Sequence, residues 1–242
     1  MSQIGIFDSG VGGYTIYQAC VKAYPHHSFV LLADQFHLPY GNKSKPELEA
    51  IFHSMMEVFR SLNITTVLIA CNTMSSLLSD ELRSSYHDLK LISIIEPTLS
   101  LIDPQKSLLL LATKATLNSG KYQTALKAMN PHIEMIEVWG QDLARWIEEE
   151  ESDVIEEFVK HFIGVHSAQQ IVLACTHYPL IKAVIAQHSS ALLIDSIQVM
   201  VDQVDPNETS SLPSLVMTTA YPQRFAQKIH RLFNEDCEVI GV

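Results

Sequence analysis

Short aliphatic runs alternate with amphipathic segments along most of the chain. Each run is four to six residues long and is bounded by polar or turn-forming residues, which is typical of strands buried on both faces of a sheet. Strands that alternate with helices in this way predict an α/β fold with doubly wound parallel sheets. The predicted strands are residues 4–7, 29–33, 67–70, 91–95, 108–112, 133–138, 171–174 and 191–194.

The intervening segments include three predicted helices. In residues 47–62 apolar side chains recur every three or four positions, and residues 44–47 (Ser-Lys-Pro-Glu) form a capping box at the helix start. A helix with an acidic face is predicted over residues 152–163, and a last helix over residues 223–233. The polar, proline-flanked residues 205–213 between these two helices favour a linker.

The pattern around Cys71 recurs around Cys175. Each cysteine follows an aliphatic strand and an alanine, and each precedes two polar residues and a helical run; the two lie 104 residues apart (175 − 71), about the length of a small domain. A weaker repeat relates the strand and loop at Asp8 to those at Thr113. Coincidence stays open, since the pattern is short. If the repeat is real, it predicts two similar α/β domains whose strand-end loops face one cleft.

Composition narrows the range of functions. The 242 residues are 47% hydrophobic and 18% charged, which suffices for buried cores. A net charge of −11 argues against nucleic-acid binding, which needs basic surface. The first residues lack the basic start and apolar stretch of a signal peptide, and the aliphatic run 108–112 is far too short for a membrane helix. We therefore expect a cytoplasmic protein that binds neither nucleic acid nor membrane.

The cysteines fall into two groups. None belongs to a C-x-x-C pair or lies at metal-ligand spacing from histidines, so we expect free thiols and no metal site. Cys20 and Cys237 are predicted to be buried as small hydrophobic residues. Cys71 and Cys175 end predicted strands and precede predicted helix starts, a location that predicts ligand access and a lowered thiol pKa. An inert buried cysteine is the commoner case for one such residue, and the matched pair favours function.

Two thiols on opposite sides of a cleft suit proton transfer at a stereocentre. One removes the α-hydrogen as a thiolate, and the other delivers a proton as a thiol. Because a free thiol has a pKa of ~8.5, each side benefits from a neighbour that takes or shares the proton. Asp8 and His177 are the candidates, although Asp8 could also cap the helix after the glycine loop 10–13. That loop lacks a nucleotide-binding signature, and residues 39–41 alone predict only a turn.

Taken together, these motifs resemble the aspartate/glutamate racemase family. The resemblance implies reversible conversion of L-glutamate to D-glutamate for peptidoglycan synthesis, with neither pyridoxal phosphate nor metal as cofactor. It implies that Cys71 and Cys175 are the two catalytic acid/bases, beside the helpers Asp8 and His177. The matching segments follow the family's order along the chain: residues 5–13, 39–41, 70–73, 112–122 and 174–180.

The resemblance also implies a domain plan and a set of substrate contacts. Residues 1–97 with 208–242 would form the first α/β domain and residues 98–207 the second, pseudo-symmetric one, with the active site in the cleft between them. None of the implied contacts is Lys or Arg, so we expect backbone N–H groups and Ser, Thr and Asn side chains to bind the substrate carboxylates. The implied substrate-binding residues are Asp8, Ser9, Tyr40, Gly41, Asn72, Thr73, Thr176 and His177, with Thr116 as a weaker candidate.

Two positions and one segment depart from the family pattern, and three alternatives stay open. Ala174 and Ser93 stand where glycine is usual, and residues 139–148 lack a usual proline-containing segment although Glu148 fits. The last departure bears on substrate choice, turnover or regulation. The alternatives are a racemase of aspartate or another acid, a non-catalytic ligand-binding or regulatory protein that kept the pocket, and a redox switch that links Cys71 to Cys175. The sequence leaves the assembly state open, a homodimer included.

Overall fold

The structure, a computed structural model, describes residues 3–242. Within these residues the strands form two parallel sheets, one formed mainly by the first part of the chain and one by the middle part. The strands are β1 (Ile4–Asp8), β2 (Phe29–Ala33), β3 (Thr66–Ile69), β4 (Lys90–Ser93), β5 (Leu108–Ala112), β6 (Met135–Trp139), β7 (Gln170–Ala174), β8 (Leu192–Ile194), β9 (Leu215–Thr218) and β10 (Val239–Gly241). The larger sheet has the order β10-β9-β2-β1-β3-β4, and the smaller one β6-β5-β7-β8.

Helices connect successive strands throughout. They are α1 (Gly13–Ala23), α2 (Lys45–Ser61), α3 (Asn72–Ser75), α4 (Asp80–Ser84), α5 (Ile95–Leu99), α6 (Lys114–Ser119), α7 (Lys121–Met129), α8 (Leu143–Glu148), α9 (Ser152–Phe158), α10 (Lys182–His188), α11 (Ile197–Val201) and α12 (Pro222–Phe233). Tight 3₁₀ turns at Tyr40–Asn42 and Tyr178–Ile181 and a π-helical turn at Val159–Ile163 complete the connections. The predicted α/β class with parallel sheets is therefore confirmed.

The central strands of both sheets bring four loops to one place. Every residue of β1, β2, β5 and β7 is buried, because helices cover both faces of each sheet. In the larger sheet β1 pairs with β3, and in the smaller sheet β5 pairs with β7, each in parallel. The carboxyl ends of these four strands lead into the residues that the sequence singled out, and ligands of open α/β sheets gather at such ends.

The predicted elements differ from the observed ones mainly at their ends. The capping box at residues 44–47 is present at the start of α2. The strand predicted over residues 91–95 stops at Ser93, because Ile95 already begins α5. The helix predicted over 152–163 is α-helical only to Phe158 and continues as the π-helical turn.

Two of the observed strands were not predicted from the sequence. β9 lies between the predicted linker and the last helix, and pairs with β2 in the larger sheet; β10 pairs with β9. We propose the domain division 1–97 with 208–242 and 98–207, which this sheet membership supports. Among residues 3–242, no helix has both the length and the apolar character needed to span a membrane.

Candidate active site

A cavity of about 280 Å³ lies where the carboxyl ends of β1, β3, β5 and β7 converge. Loops from both sheets line it, so the two cysteines that the repeat relates share one cavity. The structure thus brings together most of the predicted site. The predicted residues that line the cavity are Ser9, Tyr40, Gly41, Cys71, Asn72, Thr73, Cys175, Thr176 and His177.

Cys71 follows β3 and immediately precedes the short helix α3. Its thiol donates a long hydrogen bond of 3.9 Å to the Ser9 hydroxyl. Burial, and then the nearby Asp8 carboxylate, raise the pKa of the Cys71 thiol well above its ordinary value. The lowered pKa that the sequence predicted for this thiol is therefore wrong, since desolvation outweighs the four-residue helix behind it.

Cys175 follows β7 and has a histidine beside it. The Sγ atom of Cys175 lies 3.7 Å from Nδ1 of His177. On its other side, Nε2 of His177 lies 2.8 Å from Oε1 of Glu148, and Oε2 of Glu148 contacts the Lys228 ammonium group. The side chains thus form a continuous chain from the thiol to the last helix.

The ionisation of this chain follows from its partners. Burial would raise the pKa of the Glu148 carboxyl, but the hydrogen bonds and positive charges of His177 and Lys228 overcome it and lower that pKa from its ordinary value of 4.5 to about 2. Burial would lower the pKa of His177, but its bonds to Cys175 and Glu148 raise it well above 6.5. The geometry therefore favours an imidazolium–carboxylate pair next to Cys175.

Asp8 ends β1 and is buried beneath the cavity. Its Oδ1 accepts a hydrogen bond of 2.9 Å from the Gly10 N–H group, and its Oδ2 accepts one of 3.0 Å from the Thr176 hydroxyl. Gly12 occupies the N-cap position of α1, so Asp8 does not cap that helix as its N-cap residue, although the Gly13 N–H group also bonds to it. Burial raises the pKa of the Asp8 carboxyl. Asp8 therefore ties the first strand to the Cys175 loop.

The remaining predicted contacts are held by buried polar neighbours. Tyr122 donates a 2.8 Å hydrogen bond to Oδ1 of Asn72, and Nδ2 of Asn72 has no partner among residues 3–242. The Tyr40 hydroxyl donates a hydrogen bond of 2.6 Å to Oδ2 of Asp34, so only the backbone and ring of Tyr40 are left to contact a ligand in the cavity. Thr116, the weaker candidate, lies behind Thr113, with 3.0 Å between their hydroxyl oxygens.

The structure also shows residues that sequence reasoning missed. Thr113 lines the cavity, and its hydroxyl oxygen lies 2.8 Å from that of Thr73. The position of Thr113 in the weaker repeat was the signal in the sequence that could have identified it.

The cavity is also lined by three cationic side chains, none of which was predicted there: Lys114, Arg145 and Lys228. Protein groups contact all three. The ring of Trp139 lies beside Lys114, surface glutamates pair with Arg145, and Glu148 pairs with Lys228. Backbone and hydroxyl binding of carboxylates stays a prediction.

The other cysteines lie outside this cavity, and all four are free thiols. Cys20 is buried in α1, as predicted, but Cys237 is only partly buried because it lies beside the exposed end of the chain. No group of three or more His, Cys, Asp or Glu side chains within residues 3–242 is placed to hold a metal ion.

Comparison with known proteins assigns the family. A family model described as Asp/Glu/Hydantoin racemase matches residues 5–204. The chain belongs to this family. Glutamate racemase of Clostridium perfringens is 31% identical over 190 residues, which cover 75% of this chain and 73% of the relative. Glutamate racemase of Nitratiruptor is 31% identical over 209 residues, which cover 83% and 82%.

The fold of this racemase family member agrees with that of a solved relative. Glutamate racemase of Francisella tularensis, solved in complex with D-glutamate, superposes with a TM-score of 0.90 and 25% identity, over 100% of this chain and 97% of the other. The predicted enzyme class, an amino-acid racemase, is confirmed by these comparisons.

Replacing Glu148 with glutamine is expected to destabilise the protein in a pH-dependent way. The depressed pKa of Glu148 gives stability that is present above pH 4.5 and is lost as the pH falls towards about 2. The raised pKa of His177 gives stability that is present below pH 6.5 and is lost as the pH rises through its folded-state value. Urea unfolding should therefore show the largest gap between wild type and Glu148→Gln between pH 4.5 and 6.5.

The matched control is Glu149→Gln, which removes the neighbouring carboxylate. Glu149 is exposed and pairs with Arg145 at the surface, so its loss should change stability little at any pH. A gap between wild type and Glu148→Gln that does not vary with pH would contradict the imidazolium–carboxylate pair.

Proposed function

We propose that this racemase interconverts L-glutamate and D-glutamate without a cofactor, by proton transfer through Cys71 and Cys175. The observation that carries the proposal is the shared cavity: thiols from two different sheets line the same space of about 280 Å³. A racemase needs an acid and a base on opposite faces of one carbon, and two similar residues meet that need in both directions. The relatives named glutamate racemase support glutamate as the substrate.

The two halves of the site differ in how they handle a proton. With L- or D-substrate bound, one sulfur takes the α-proton while the C–H electron pair stays on the α-carbon. The other sulfur then gives its proton to the opposite face of that carbon. His177 Nδ1, 3.7 Å from Cys175 Sγ, is placed to return a proton to that sulfur and to take it back, so an imidazolium at this position accompanies the thiolate form of Cys175. Burial raises the pKa of the Cys71 thiol, which favours the protonated form that acts as donor in one direction; in the other direction Cys71 takes the α-proton as a thiolate.

Donor groups in the cavity suit a substrate with two carboxylates. The Asn72 Nδ2 group is a buried donor without a partner in residues 3–242, and an unpaired buried donor costs free energy until a ligand acceptor reaches it. Hydroxyl groups of Ser9, Thr73 and Thr113 line the same space. We propose that these donors and neighbouring backbone N–H groups hold the carboxylates, while the thiols face the α-carbon.

Deuterium exchange tests this function directly. In deuterium oxide, the protein should convert L-glutamate into D-glutamate that carries α-deuterium, and the reverse reaction should label L-glutamate. Chiral chromatography with mass spectrometry measures both the inversion and the label. If neither enantiomer exchanges or inverts, the proposed function is wrong.

The alternatives are outcomes of the same experiment. A panel with L-aspartate and other acidic amino acids would reveal a different substrate. Thermal stabilisation by glutamate without exchange would indicate a non-catalytic ligand-binding or regulatory protein. A Cys71–Cys175 disulfide after mild oxidation, detected by mass spectrometry, would indicate the redox switch. For an active enzyme we propose a cytoplasmic role in supplying D-glutamate to peptidoglycan synthesis.

A further inference from the structure

We infer that Lys228, on the last helix, is a positioning residue that fixes Glu148 against His177 and so completes the Cys175 half of the site. The inference rests on the proposed function, because it concerns how the Cys175 thiol exchanges its proton. Lys228 belongs to none of the motifs that match the family, and it comes from the segment that follows the missed strand β9.

The geometry gives each oxygen of the Glu148 carboxylate one partner. His177 Nε2 lies 2.8 Å from Oε1, and the Lys228 ammonium group contacts Oε2. Glu148 itself is buried, with a side chain that is 8% exposed, whereas the Lys228 side chain is 26% exposed. Lys228 also lies 3.5 Å from the Gln35 side-chain oxygen, so its ammonium group has two anchors. The carboxylate is thereby oriented from both ends.

The same helix also contacts the backbone that carries Glu148. One turn after Lys228, Arg231 donates a hydrogen bond of 3.4 Å to the Glu148 carbonyl oxygen, and its Nε lies 3.6 Å from Oε2 of Glu150. Glu150 has a φ of +57°, a left-handed conformation that side chains rarely adopt without support. The C-terminal helix α12 therefore contacts both the side chain and the exit turn of α8.

These contacts join parts of the chain that belong to different sheets. Helix α12 follows β9 of the larger sheet. Glu148 ends α8, which follows β6, and His177 follows β7, and both of these strands belong to the smaller sheet. The position of the imidazole beside Cys175 thus depends on how the C-terminal helix sits against the second half of the molecule. A buried carboxylate that loses one of two cationic partners is left undercompensated, and it then protonates or turns away.

A competing role for Lys228 is direct binding of a substrate carboxylate, since Lys228 lines the cavity. The two roles predict different kinetics. A lost substrate contact raises KM and leaves the pH profile unchanged. A lost positioning contact lowers kcat and changes the pH profile, because Glu148 protonates at higher pH without Lys228. His177 and Lys228 are the charged groups that contact Glu148. Cys175 and Asp8 lie near the imidazole, Glu149 lies near Lys228, and Arg231 lies over the Glu148 carbonyl oxygen.

The test compares Lys228→Met with two other variants of α12. Lys228→Arg keeps the charge and should restore most of the activity. Arg224→Met removes a cation one turn earlier, where the guanidinium lies over the Tyr221 ring, and should behave as wild type. For Lys228→Met we expect glutamate racemisation with kcat about 10- to 100-fold lower, the range that misplacement of a reacting group produces. The acidic limb of its pH profile should move to higher pH.

A second readout does not depend on turnover. The imidazole signals of His177 can be titrated by NMR in wild type and Lys228→Met, and we expect the His177 titration curve to shift in the variant, because Glu148 no longer keeps the same position and charge. If the wild-type protein racemises neither enantiomer of glutamate, the proposed function is wrong, and the His177 titration still tests the inference. If wild type is active and Lys228→Met keeps its kcat, pH profile and His177 titration, or changes only KM, Lys228 does not position Glu148.

Discussion

Replacing either Cys71 or Cys175 with alanine is expected to abolish racemisation. Each variant keeps the cavity and one thiol but loses the acid or base on one face of the α-carbon, and a positioned proton-transfer group contributes about 10²–10⁴-fold to rate. Inversion needs both faces in every turnover. The loss should therefore be of similar size in the two directions, and chiral chromatography of the product measures it.

The residual reactions of these variants give a sharper result than loss of activity alone. A single remaining thiol can still remove an α-proton and return solvent deuterium to the same face without inversion. Any such exchange is expected with one enantiomer only, and with the opposite enantiomer in the other variant. Exchange of both enantiomers by Cys71→Ala, or by Cys175→Ala, would contradict the two-thiol assignment.

Cys20→Ala is the matched control for these substitutions. Cys20 is at least as buried as the two site cysteines but lies in α1, within a core cluster that includes residues of both sheets. Removing its sulfur leaves a small cavity, so some loss of unfolding free energy is expected while racemisation continues. Thermal unfolding of all three variants separates a folding defect from a lost acid/base group.

The sequence predicted the inner strands well and the outer ones badly, for a physical reason. Strands β5 and β2 are buried on both faces, so they are unbroken aliphatic runs that polar residues delimit. β9 has four residues and β10 only three, and β10 is partly exposed. Pairing with β2 makes β9 a strand, and that pairing joins residues 185 positions apart (215 − 30).

The candidate site divides in the same way between local and distant contacts. Cys71, Cys175 and His177 lie at strand ends within short motifs, so the sequence could place them. Glu148 and Lys228 meet across 80 residues, and no local pattern marks such a pair. The low pKa predicted for Cys71 is wrong because the sequence shows the helix start that would lower it but not the burial that raises it. That burial depends on the whole fold.

Substituting Gly12 with alanine is expected to lower activity strongly, although less than loss of a thiol does. A Cβ atom at this position would lie 2.4 Å from the Thr176 hydroxyl oxygen, 2.7 Å from His177 Nδ1 and 2.9 Å from the His177 backbone nitrogen. One of these neighbours is backbone, so the two loops must separate. His177 would then leave Cys175, and Thr176 would leave Asp8, which breaks the 3.7 Å and 3.0 Å contacts.

Misplacing reacting groups by about 1 Å costs on the order of 100-fold in rate, and that is the loss of kcat/KM expected for Gly12→Ala. Overpacking should also lower the unfolding free energy by about 1–3 kcal/mol. Gly120→Ala is the control, because Gly120 has a φ of +67° and its added Cβ meets nothing closer than 3.9 Å. Backbone strain there should destabilise the fold by about 1–2 kcal/mol and leave racemisation intact. Equal activity in the two variants would mean that catalysis does not need the close contact between the glycine loop 10–13 and the Cys175 loop. Loss of activity in Gly12→Ala alone would show that catalysis depends on that contact.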